Sequence, residues 1–99
     1  MEDFPLRLRR VIASTPLDLM SFADVTGVGY GVLKSWLKGP TKPMGMDWLC
    51  RLKRARGCTW AEVFEMSRAR WGPDEPYGVA ALRRIRSRTG CTWEELLGE

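Results

Sequence analysis

An all-α fold is predicted for this chain. Apolar residues recur at the three- and four-residue spacing of a helix face, and glycines and prolines break the chain at helix-sized intervals. In addition, Thr59-Trp60-Ala61-Glu62 and Thr92-Trp93-Glu94-Glu95 each form the Thr-x-x-Glu box that starts a helix. No segment keeps the strict alternation of a half-buried strand.

The first predicted helix spans Phe4 to Ser14, with Leu8, Val11 and Ile12 on one face and Arg7, Arg9 and Arg10 directed elsewhere. Pro5 suits its first turn, where a missing N–H costs nothing. Thr15-Pro16-Leu17 ends it, because proline cannot continue a helix and disfavours helical geometry in the residue before it. Asp18 caps a second helix from Leu19 to Val25, closed by Gly27. A third runs from Tyr30 to Lys38, with Leu33, Trp36 and Leu37 inward and Lys34, Ser35 and Lys38 outward, and stops at Gly39-Pro40. A fourth, Met44 to Arg56, turns Trp48, Leu49 and Leu52 inward and Arg51, Lys53, Arg54 and Arg56 outward before Gly57. The Thr59 box opens a short fifth helix through Val63 and Phe64, and Trp71-Gly72-Pro73-Asp74-Glu75-Pro76 reads as a linker. The expected organisation is a five-helix domain over 1–66, then a linker and helical extension over 67–99.

Composition narrows the function. At 99 residues and 44% apolar content the chain can enclose one modest core, anchored by five Trp and three Phe. A net charge of +4 suits a polyanionic partner without requiring one. The chain starts Met1-Glu2-Asp3 rather than with a basic-then-apolar leader, and no apolar run nears the roughly 20 residues of a membrane span, so a cytoplasmic protein is expected. Cys50, Cys58 and Cys91 form no CxxC pair and there is no His, which argues against a zinc site and for reduced thiols in the packing. Without His, a metal-ligand cluster or a glycine-rich phosphate loop, an enzyme is not expected, and neither is a cofactor.

Two helices joined by a short glycine-containing turn let the second project from a packed support, which is how a major-groove reader is built. Ala23 to Lys38 has that form: Ala23 is small where helices approach, Gly27 turns the chain, Val28 plugs the core, and Leu33 with Trp36 anchors the projecting helix. On the run Phe22-Ala23-Asp24-Val25-Thr26-Gly27-Val28, followed by Leu33, Trp36, Gly39 and Pro43 and by Thr59 to Phe64, residues 6–65 resemble the Cro/repressor (XRE-type) helix-turn-helix family. The resemblance implies a sequence-specific, repressor-like regulator that reads duplex DNA with the helix at 30–38, of a kind common in phages and mobile elements. It puts Gly29, Tyr30, Gly31, Lys34 and Ser35 on the reading face, and Lys38, Thr41 and Lys42 near the DNA backbone. Leu19 departs from the family's usual glutamine, and Gly29 and Gly31 replace polar residues. The alternative is a regulator of the same scaffold that binds another regulatory protein, in the manner of an antiactivator.

The tail repeats part of the domain. Thirty-three positions after Pro43, Gly45, Leu49, Arg51, Gly57-Cys58-Thr59-Trp60 and Glu62 stand Pro76, Gly78, Leu82, Arg84, Gly90-Cys91-Thr92-Trp93 and Glu95. Only the last two helices of the domain recur, so the second copy has no helix-turn-helix of its own. Its Trp93 is expected to pack as Trp60 does. Its apolar residues Val79, Leu82, Ile85, Trp93, Leu96 and Leu97 either cover the first domain or form a homodimer interface, the latter being expected because a twofold dimer sets two reading helices about 34 Å apart. Arg83, Arg84, Arg86 and Arg88 form a charge run, usually a solvated face and also able to reach phosphates.

Overall fold

Caps and glycines set the helix ends in the computed structural model, which describes residues 3–39 and 42–99. Among the described residues there are seven α-helices and no strand: α1 (Phe4–Ala13), α2 (Leu19–Thr26), α3 (Tyr30–Lys38), α4 (Met46–Arg56), α5 (Trp60–Trp71), α6 (Tyr77–Thr89) and α7 (Trp93–Leu97), with a 3-10 turn at Gly72–Asp74. The Asp18 carboxylate accepts the Ser21 N–H at 2.8 Å to start α2, and that bond holds the carboxyl below the usual carboxylate range. Gly27, at φ 71°, closes α2 in the left-handed conformation that glycine adopts without strain.

Two elements differ from expectation. α4 starts at Met46 rather than Met44, because Gly45 takes φ 94° and turns the chain there. α5 continues past Phe64 to Trp71, since nothing breaks it before Gly72 and its later turns have partners. Ser67 is buried, and Trp71 meets Trp48 edge-on at 5.0 Å. Residues 66 and 67, where a domain boundary was expected, therefore fall inside a continuous helix.

The tail is part of the core. α6 packs on α2, α7 packs on α1, and one apolar cluster joins residues of all seven helices. Phe64 sits between the two copies of the repeat: Trp93 stacks on it at 3.8 Å and Trp60 meets it edge-on at 6.5 Å. The Trp60 Nε1–H donates to the Gly98 carbonyl at 2.6 Å, and an Arg7 Nη1–H donates to the Glu94 carbonyl. A Cα radius of gyration of 12.8 Å matches the roughly 13 Å of a folded chain this size, with no extended tail among the described residues.

This corrects the expected interface. Val79, Leu82, Ile85, Leu96 and Leu97 are at most 1% exposed and Trp93 is 7% exposed within a single chain. Their apolar surface is already enclosed by α1, α2 and α5, so none of the six is free to meet a second copy. Among the described residues no helix is long and apolar enough to cross a membrane.

Candidate nucleic-acid interface

α2 and α3 are joined by Gly27-Val28-Gly29. Val28 is buried beneath the turn, and the buried Thr26 hydroxyl donates to the Phe22 carbonyl at 2.7 Å and accepts the Val28 N–H. Leu33 and Trp36 fasten α3 inward, with Trp36 edge-on to Phe4 at 5.9 Å. Two residues of α6 brace the turn from outside. The Gly29 N–H donates to the Tyr77 hydroxyl at 3.0 Å, and Arg84 Nη1 donates to the Gly27 carbonyl at 3.4 Å. The first bond satisfies a backbone donor at the start of α3, which has no side-chain cap of its own.

Of the residues expected at the interface, Tyr30, Gly31, Lys34 and Lys38 are exposed on α3, Gly29 is exposed in the turn just before it, and Lys42 is exposed beyond it. The Lys34 ammonium lies 5.4 Å from the Tyr30 ring centroid, so the two side chains form one unit on the outer face. Ser35 is half-buried on the flank. Thr41 lies outside the described residues.

No protein-family model, curated protein or solved structure matches this chain.

The expected set omits Met44 and Tyr77. Met44 is 68% exposed and Tyr77 43%, and with Gly31, Val32, Ser35, Trp36 and Lys42 they line a mostly apolar groove of about 340 Å³ along one flank of α3. The signal for them was present in the repeat: Met44 and Tyr77 are the middle residues of Pro43-Met44-Gly45 and Pro76-Tyr77-Gly78. The two segments lie against each other. A Cβ on Gly45 would meet Pro76 and Val79, and one on Gly78 would meet the backbone of Pro43 and Met44. The exposed middle residues thus end up side by side.

Chemically, the outer face of α3 offers two ammonium groups, a phenol and, at Gly31, backbone open to close approach. α3 contains no acidic residue. Such a face can donate to phosphate oxygens and base-edge acceptors and contact a thymine methyl.

Proposed function

We propose that the chain is a cytoplasmic, repressor-like regulator of the Cro/repressor helix-turn-helix type, which binds duplex DNA with α3 in the major groove. The observation that carries this reading is the exposed face of α3, where Tyr30, Lys34 and Lys38 stand together on a helix fastened to α2 through the Gly27 turn and braced by α6. The Lys residues supply phosphate or base-edge contacts, Tyr30 a base contact, and Gly31 the room for the duplex to come close. Reading a palindromic site would set two copies of α3 about 34 Å apart. A surface between such copies lies outside the six buried tail residues.

A mobility shift at graded salt tests this. Each phosphate neutralised adds about −0.9 to the log–log slope, so the double variant Lys34→Ala/Lys38→Ala is expected to bind more weakly and less salt-dependently than the parent chain. Unchanged affinity in that variant overturns the reading.

The groove beside α3 favours a second reading, a regulator whose partner is another protein. Met44 and Tyr77 offer apolar surface that a phosphate backbone does not use, and Lys42 at the groove's edge selects an acidic, amphipathic segment. Absence of any duplex binding at low salt would transfer the α3 face to this reading, with Met44→Asp as the variant that closes the groove.

A further inference from the structure

The arginine run of α6 separates into one residue held in a salt bridge and others that are not. Arg83 is half-buried and committed: its Nε donates to both Glu75 carboxylate oxygens at 2.9–3.0 Å, and its Nη2 donates to the Phe64 carbonyl and the Ser67 hydroxyl. It ties α6 to α5. Arg84, Arg86 and Arg88 are exposed, as is Arg68 across from them on α5. With Arg83, Ser87 and Trp93 they surround an open depression of about 470 Å³. Among the described residues no carboxylate lines it and no salt bridge engages Arg68, Arg84, Arg86 or Arg88.

We propose that this depression is a phosphate-binding surface that grips the backbone of the same DNA duplex whose groove α3 enters. The proposal rests on the DNA-binding reading of α3. Three observations support it. First, the lining suits phosphate: guanidinium forks present paired N–H donors to oxyanions, and Ser87 adds an exposed hydroxyl near the end of α6. Second, the surface offers little else. Trp93 is almost covered, with the Arg86 guanidinium 5.1 Å from its ring, so the depression offers mainly polar surface and little apolar area for a lipid chain or the apolar face of a peptide. A nucleic-acid backbone, by contrast, needs only charge and donors. Third, the surface adjoins the reading helix, because Arg84 reaches the Gly27 carbonyl in the turn that leads into α3. Arg88 lies four residues, about 6 Å, further along α6, so the charges extend away from the turn as a track rather than a point. Concentrating the guanidinium groups here leaves α3 with three residues that can read bases and moves the salt-dependent share of affinity to the tail.

Fluorescence anisotropy of a mixed-sequence duplex about three helical turns long, titrated with the full chain across a salt series, tests the proposal. Arg68→Gln/Arg88→Gln removes two guanidinium groups that have no described salt-bridge partner, so its thermal melt is expected to match the parent. Its log–log salt slope is expected to flatten by about 1.8, with affinity lowered about tenfold or more near 0.1 M salt. Unchanged slope and affinity in this pair, with loss in Lys34→Ala/Lys38→Ala, overturns the phosphate surface and leaves α3 as the reader. Loss in the arginine pair with none in the lysine pair supports the surface and overturns the α3 reading. A parent chain that binds polyglutamate but no duplex at low salt overturns both.

Discussion

In the first copy of the repeat, residues 43–66, α4 buries Met46 and Leu49 and leaves Arg51, Arg54 and Arg56 in solvent. In the second, residues 76–99, α6 buries Gly78, Val79, Ala81, Leu82 and Ile85. Local geometry is nevertheless shared. Gly57 and Gly90 close their helices at φ 64° and 72°, and Thr59 and Thr92 open the next ones at ψ 163° and 161° with complete capping boxes. A further correspondence lies outside the identities. Lys53 lies 5.1 Å from the Trp60 ring centroid and Arg86, thirty-three positions on, lies 5.1 Å from that of Trp93. The comparison separates two kinds of information: punctuation and cation–ring contacts are decided within a copy, whereas the amount each helix buries is decided by what lies across from it. α4 stays at the rim, while α6 is covered on one side by α2 and α5.

The largest expected effects test whether the copies share one core. Trp60→Ala and Trp93→Ala should each cost about 3–5 kcal/mol in denaturant unfolding, since both rings are buried against Phe64. Because they share that neighbour, the double variant should depart from additivity by more than about 0.5 kcal/mol; strict additivity would break the picture of a single core. Trp60→Phe should lose more than Trp93→Phe, because only the first surrenders a hydrogen bond to the Gly98 carbonyl.

A middle-sized effect sharpens the contrast between contact and conformation. Gly78 has ordinary helical backbone, yet a Cβ there runs into the Pro43 and Met44 backbone, so Gly78→Ala should cost about 1–3 kcal/mol by overpacking and shift the Met44–Tyr77 groove. Gly90 faces open space at φ 72°, so Gly90→Ala should cost about 1–2 kcal/mol from backbone strain alone. Melting curves combined with fluorescence of the five tryptophans distinguish the two, since only the first variant disturbs packing.

The smallest expected effect concerns acid. The backbone N–H and hydroxyl of Thr59 hold the Glu62 carboxyl below the usual carboxylate range. A lowered folded pKa contributes stability that is present above the unfolded value and is lost as pH falls through the folded one. Glu62→Gln should therefore flatten the acid limb of melting temperature against pH while leaving the neutral plateau nearly unchanged. An unaltered acid limb would show that the box contributes nothing to acid sensitivity.

Much of this molecule was legible because its signals are local. Asp18, Gly27, Gly57, Thr59, Gly90 and Thr92 each act on the nearest turn of chain, and the ends they imply agree with the structure. The end of α5 was not legible from the box that starts it. Its last turns are held by Trp48, some two dozen residues earlier, and by Arg83, well downstream. The six apolar tail residues announced a buried face without saying what would cover it, since an amphipathic pattern specifies a side and not a partner. The same holds at the candidate site. The outward lysines of α3 followed from helical spacing, whereas the groove beside them depends on Met44 and Tyr77 meeting across the fold.

The contact between α1 and α7 sets a waiting time during synthesis. Phe4, Leu8 and Val11 emerge early, but the helix that covers part of their face is not finished until residues 93–97 have been made. At ribosomal speeds of about 5–20 residues per second, that interval is on the order of 5–20 s. Throughout it α1 presents a partly uncovered apolar stripe, so slow translation of the second copy would lengthen the period in which chaperones or neighbouring chains compete for it.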